Sequence, residues 1–186
     1  MRFHQRPVVK LPSADWSVIA NQGRLDTVQT GGRVASYTYD GAGRLATTTD
    51  PLGRTDSLFY DGADRLLRQV LPGGREIGFA YDSSGNLTSV TPPSQPAHGF
   101  TYTALDLDSV YAPPSVGVGT WSTQYRYDLD RQLTRILRPG GDSIVLSYEA
   151  LTGRPSTVTF DRGTLSFGYS GATGQLTSLT GPASTI

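Results

Sequence analysis

With 186 residues the chain has room for one domain with a core of its own, or for two smaller ones. Sixteen Lys and Arg balance sixteen Asp and Glu, which excludes both a basic footprint for nucleic acid and an acidic tail. The lack of Cys excludes disulfides and thiolate metal sites, and no apolar run approaches the length of a membrane span.

Residues 1–18 are predicted to be a cap or linker, with Leu11 and Trp16 available to cover one end of the repeat region. No apolar segment comes after Arg2, His4 and Arg6, so no signal peptide is visible. The 22 Gly and 12 Pro, with abundant Ser and Thr, predict many short strands joined by tight turns.

A repeat begins in degenerate form at Ile19, before Gly23-Arg24-Leu25, and becomes regular at Tyr39. Tyr39, Tyr60, Tyr81 and Tyr102 are spaced by 21 residues; Tyr127 comes after 25, and Tyr148 and Tyr169 resume the spacing. Pro51, Pro72, Pro93, Pro114 and Pro139 each lie 12 residues after a Tyr. The extra residues before Tyr127 therefore fall near 115–119, as a loop insertion in a turn, where added length costs little. Tyr148 and Tyr169 are each succeeded by a first turn one residue longer.

Each unit reads as two strands and two turns. The first turn is clearest in Tyr39-Asp40-Gly41-Ala42-Gly43-Arg44-Leu45; the segments from Tyr60-Asp61 and from Tyr81-Asp82 to Gly85-Asn86-Leu87 match it. Asp at the turn's start accepts backbone N–H groups, and Gly, Asp or Asn near its end tolerates positive φ. In the second turn, as in Pro72-Gly73-Gly74, Pro presets φ and Gly supplies the left-handed position. Two residues before each Tyr stand Tyr37, Leu58, Phe79, Phe100, Tyr125, Leu146 and Phe167, all large and apolar or aromatic. The residues immediately before are mostly small or polar. One face of the predicted sheet is therefore aromatic and the other wetter.

These units resemble the YD or RHS repeats of bacterial polymorphic toxins, insecticidal toxin complexes and animal teneurins, over residues 19–182, with 183–186 as a tail. The resemblance implies an all-β fold of tandem antiparallel β-hairpins forming a long curled ribbon. It also implies a non-catalytic structural role in a shell, secretion or display at the cell surface, and, in bacterial members, an enclosed toxin. The structural residues it marks are Tyr39, Asp40, Gly43, Tyr60, Asp61, Tyr81, Asp82, Gly85, Tyr102, Tyr127, Asp128, Tyr148 and Tyr169. About eight units are few for closing around cargo, so the chain is expected to be part of a larger shell or to associate with itself end to end through strand pairing.

Nothing in the sequence converges on catalysis or a cofactor. Asp40, Asp61, Asp82 and Asp128 occupy one place in successive hairpins and read as turn caps rather than a metal site. His4 and His98 are isolated, and the Gly pairs precede no helix. Tyr111 and Trp121, beside the insertion, are candidates for a surface that stacks on a glycan or a protein partner; packing beside a long loop is the plainer reading.

Overall fold

The computed structural model describes residues 8–10, 16–21, 23–115 and 121–182; among the first nine of these, side chains are described only at Val18. Alternating apolar and polar residues, broken by Gly, Pro and Asp clusters, form strands and no helix among the described residues. In chain order these are β1 (Val8–Lys10), β2 (Trp16–Asn21), β3 (Arg24–Thr30), β4 (Arg33–Tyr39), β5 (Leu45–Thr49), β6 (Thr55–Tyr60), β7 (Leu66–Val70), β8 (Glu76–Tyr81) and β9 (Leu87–Thr91). They continue as β10 (His98–Tyr102), β11 (Asp108–Ala112), β12 (Thr123–Tyr127), β13 (Leu133–Leu137), β14 (Ser143–Tyr148), β15 (Pro155–Phe160), β16 (Gly163–Tyr169) and β17 (Leu176–Thr180).

The chain divides into two compact units, Met1–Ala80 with Val90–Gln95 and Tyr81–Ser89 with Pro96–Ile186. In the first, β1 to β8 run as an antiparallel meander in which each strand pairs with the next. In the second, β10 to β17 do the same. The expected all-β succession of antiparallel hairpins is therefore present in both. Most of the expected cap, the tail and positions 116–119 of the insertion lie outside the described residues. The degenerate first unit is the hairpin β2–β3. Its register sets Ala20 against Leu25 as Tyr39 is set against Leu45, so Ala20 rather than Ile19 stands in the tyrosine's place.

No described residue is buried; side chains are half-buried or exposed, as a sheet one layer thick dictates. The two faces nevertheless differ. All seven repeat tyrosines are half-buried, while Thr38, Phe59, Ala80, Thr101, Arg126 and Ser147, each just before a Tyr, are exposed. The exposed face carries paired hydroxyls, such as Thr38 Oγ1 with Thr47 Oγ1 at 2.6 Å and Thr49 Oγ1 with Thr55 Oγ1 at 2.9 Å. On the tyrosine face, cross-strand pairs such as Ile136 with Ile144 and Val158 with Leu165 are apolar.

A bulge recurs that simple alternation does not announce. Thr38 pairs with Thr47 but Tyr39 pairs with Leu45, so Ala46 has no partner of its own. The same slip precedes Tyr60, Tyr102, Tyr127, Tyr148 and Tyr169. An extra residue on the returning strand bends it and raises the local right-handed twist. It also changes the phase of the return strand, which lets both the Leu after the turn and the apolar residues beyond it share the tyrosine face.

Candidate functional site

The first turns that follow Tyr39, Tyr60, Tyr81 and Tyr127 are built on an Asp. In Asp40–Arg44 the backbone closes through Asp40 N–H to Arg44 O and Gly43 N–H to Asp40 O, both 2.9 Å. Asp40 Oδ1 accepts the N–H groups of Ala42 and Arg44 at 3.0 and 2.9 Å, and Oδ2 accepts Arg44 Nε at 2.8 Å. Asp61–Arg65 repeats the pattern bond for bond. Asp82 takes Asn86 in the same way, and Asp128 accepts the N–H groups of Asp130 and Gln132. Where Asp is lost, Thr103 Oγ1 accepts the corresponding N–H groups of Leu105 and Leu107 at 3.2 Å each.

The opposite edge uses the same device, which composition alone does not reveal. Asp50 Oδ1 accepts Leu52 and Arg54 N–H, and Oδ2 accepts Arg54 Nε at 2.6 Å. The turns Leu71–Arg75 and Arg138–Asp142, which start without that carboxylate, take a different route of equal length. In Leu71–Arg75, Gly73 and Gly74 both adopt positive φ, +87° and +79°, after Pro72. A left-handed residue directly after Pro is the type II geometry that only Gly adopts freely.

The hydrogen bonds hold Asp40 and Asp61 below the ordinary carboxylate range, chiefly through the Arg44 and Arg65 backbone N–H groups; at Asp50 the Arg54 side chain is the main cause. At Asp82 partial desolvation opposes the bonds from Asn86, and the carboxyl still ends low. Folded pKa values below the unfolded one mean stabilisation that is complete above about pH 4 and drains as pH falls through the folded values. The thermal midpoint monitored by circular dichroism is therefore expected to fall on acidification below about pH 4. Asn at positions 40, 50 and 61, which keeps a capping oxygen, is expected to flatten that dependence.

In Asp40–Arg44 the left-handed fourth position is Gly43, φ +84°; Gly85, φ +96°, stands there in the turn after Tyr81. Elsewhere it is taken by Asp64, Asp106 or Arg131, with φ of 62°, 58° and 64°. Left-handed backbone costs an L-residue about 1–2 kcal/mol. Arg131→Gly is therefore expected to raise unfolding free energy by about 0.5–1 kcal/mol after Gly's larger entropy loss, measured by chemical denaturation.

The tyrosines join one hairpin to the next. Tyr39 Oη donates to Leu25 O at 2.9 Å, Tyr60 to Leu45 O at 2.9 Å, Tyr102 to Leu87 O at 2.7 Å, Tyr148 to Leu133 O at 2.9 Å and Tyr169 to Pro155 O at 3.0 Å. Each acceptor is the first residue past the turn of the preceding hairpin. Desolvation raises the phenol pKa of Tyr102 and Tyr127, with the Asp108 carboxylate adding to it.

A second set of joints runs along the same edge through the residue that ends the turn at Arg44, Asn86 and Gln132. Arg44 binds its own Asp40 and reaches on to Asp61 O and Asp64 Oδ1, at 2.8 and 2.7 Å. Asn86 does the same, from Asp82 to Asp106 Oδ1 at 2.7 Å, and Gln132 Nε2 donates to Gly153 O at 3.0 Å. Arg24, Arg44 and Arg154 lie over the rings of Tyr39, Tyr60 and Tyr169, at 5.4, 4.8 and 5.4 Å from the centroids. A Cβ at Gly43 or Gly174 would run into the guanidinium of Arg24 or Arg154. Sequence reasoning missed these couplers. Their signal is a long hydrogen-bond donor directly after the left-handed residue, at Arg24, Arg44, Arg65, Asn86, Gln132, Arg154 and Gln175, interrupted at Leu107.

Of the remaining candidates, Tyr81 is half-buried on the tyrosine face. Tyr111 is stacked near His98 at 5.9 Å, packs on Phe100 at 5.4 Å and shares a 2.8 Å hydrogen bond with His98 Nδ1. Trp121 is 41 % exposed. Among the described residues no group of His, Asp and Glu is placed to hold a metal ion.

Repeated hairpins, bulged at a tyrosine and coupled to their neighbours by the tyrosine hydroxyl and the residue that ends the turn, define a tandem YD-repeat β protein. The chain belongs to the teneurin YD-shell family, whose family model matches residues 7–184. No curated protein matches the chain. Among solved structures it is similar to a chain of the TcdB2-TccC3-Cdc42 crystal structure (TM-score 0.66, 15 % identity, 94 % of this chain and 11 % of that one). It is similar likewise to TcdB2-TccC3 without its hypervariable C-terminal region (TM-score 0.65, 16 % identity, 94 % and 11 %). At such identities the likeness is one of fold, and this chain spans about a tenth of the length of those it matches.

Proposed function

We propose that the chain is a non-catalytic wall segment of a YD-type β shell of the kind that encloses a toxin, acting outside the cell or at its surface. The observation that carries this reading is the joint between hairpins: the polar groups that could do chemistry are committed to turns and to neighbouring repeats. The hydroxyls of Tyr39, Tyr60, Tyr102, Tyr148 and Tyr169 are bonded to backbone carbonyls, and the carboxylates of Asp40 and Asp61 to N–H groups and Arg. A sheet with no buried residue among those described gains its burial from what it closes around or against. Light scattering and negative-stain electron microscopy of the purified chain, alone and with its shell partners, test this. Particles several times the 19.9 kDa chain mass, with curved walls, support a shell role. A monomer that joins no larger particle under any of these conditions overturns it. Trp121, 41 % exposed, supports a second reading as a stacking surface for a glycan; glycan-array binding that Trp121→Ala abolishes would establish it.

A further inference from the structure

The clasp between successive hairpins fails at one seam, β11–β12, where several of its parts are missing together. Leu107 stands where Arg44, Asn86 and Gln132 end their turns, and its side chain has no donor to send to the next turn. Arg131 holds the left-handed position of that next turn, where Asp64 and Asp106 accept in theirs, and a guanidinium accepts nothing. Tyr127 Oη, unlike that of Tyr102 or Tyr148, makes no hydrogen bond among the described residues.

Asp108 also opposes closure. It pairs with Tyr102 as Leu133 pairs with Tyr127, so a carboxylate takes the leucine's place. It is exposed, and packing the next hairpin over it would cost desolvation. The ladder is short as well. Only Val110 with Gln124 and Tyr111 with Thr123 pair, against three positions at β5–β6, β7–β8 and β13–β14 and four at β3–β4 and β15–β16.

The hairpins on either side are clamped. In β10–β11, Asp106 is tied back to Asn86 and Tyr102 to Leu87 O, while Tyr111 shares its hydroxyl with His98 of the same hairpin. In β12–β13, Thr134 Oγ1 donates to Arg126 O at 3.1 Å, and Gln132 and Leu133 O hold the hairpin that follows. We propose that the β11–β12 seam is a hinge built into the ribbon, about which the clamped hairpins move and at which strands part first. This goes beyond the shell reading and stands whether or not the chain joins a larger particle.

Native-state hydrogen exchange of the intact chain, read by NMR, tests it. Amides bonded across β11–β12 are expected to exchange about tenfold faster than those across β13–β14, after correction for intrinsic rates. Leu107→Gln combined with Asp108→Leu rewrites the corner to match Gln132-Leu133. It should slow exchange at the seam about tenfold and leave β13–β14 unchanged, because it restores a donor and removes the carboxylate. Tyr127→Phe should alter exchange at its seam by less than about twofold, whereas Tyr148→Phe should speed exchange across β13–β14 about fivefold, the loss of one net hydrogen bond. The chain has no Cys, so spin labels can read the motion directly. Labels at Thr101→Cys and Arg126→Cys span the hinge; labels at Arg126→Cys and Ser147→Cys span β13–β14 from matching exposed positions. The first pair should give the broader distance distribution by electron paramagnetic resonance. Equal widths, equal exchange across the two seams, or a double variant that folds but exchanges no more slowly overturns the proposal. So does a Tyr127→Phe effect as large as that of Tyr148→Phe. If the double variant loses its fold, the unmodified chain and the two Phe variants decide.

Discussion

Tyr60→Ala is expected to lower unfolding free energy by about 2–3 kcal/mol, less than a fully buried aromatic would cost because the ring is half-buried. The loss has three parts: apolar area against neighbouring strands, the 2.9 Å hydrogen bond to Leu45 O, and the Arg44 guanidinium over the ring at 4.8 Å. Tyr60→Phe separates them, since it keeps the ring and removes only the hydroxyl; about 1 kcal/mol is expected. Urea denaturation monitored by far-ultraviolet circular dichroism reads both. Equal effects of the two substitutions would mean that the hydroxyl, not the ring, carries the joint. An effect near zero would mean that the joint is incidental. In a meander of this kind each hairpin contacts mainly its neighbours, so hydrogen exchange should show the loss concentrated in β4 to β7.

Gly43→Ala is the second large effect, at about 2 kcal/mol of destabilisation. Its φ of +84° costs an L-residue about 1–2 kcal/mol. The added Cβ also displaces the Arg24 guanidinium from its place over the Tyr39 ring, a contact worth about 0.5–1 kcal/mol. Arg24 is flexible and moves at little cost, so the backbone term dominates. Gly41→Ala, two residues earlier with open space at its Cβ, is the control and should change stability little. If the two variants unfold at the same denaturant concentration, the left-handed position is not constraining the turn.

The fold was legible because its period was. Tyr spacing placed the hairpins, and the Pro 12 residues after a Tyr placed the second turn. Asp-x-x-Gly also has a turn chemistry that reads from composition. Three things were not legible. The bulge leaves only a weak residue signature: of Ala46, Leu67, Ser109, Thr134, Ser156 and Thr177, four are Ser or Thr, which are common throughout the chain. The Asp50 turn was read through Pro51, although its carboxylate does the same work as that of Asp40. The couplers were hidden because a donor at Arg44 or Asn86 looks, in one repeat, like an ordinary solvated side chain. Its partner lies 20 residues on, and only the three-dimensional stacking of turns brings the two together. For Tyr111 the aromatic cluster was visible, but its stacking near His98 and packing on Phe100 depend on the β10–β11 register.

The bonds from Arg44, Asn86 and Gln132 reach only as far as the adjoining turn, and the tyrosines reach only the adjoining strand. A wall assembled from such strictly local clasps has no position that knows its distance from either end. Genes encoding it can gain or lose a whole hairpin by slippage, and each new seam closes with the groups already present. Gains or losses within a strand, in contrast, would set a tyrosine opposite the wrong carbonyl, whereas extra residues in a turn, as after Tyr148, leave the seam in register. Length should therefore evolve in quanta of one clasp.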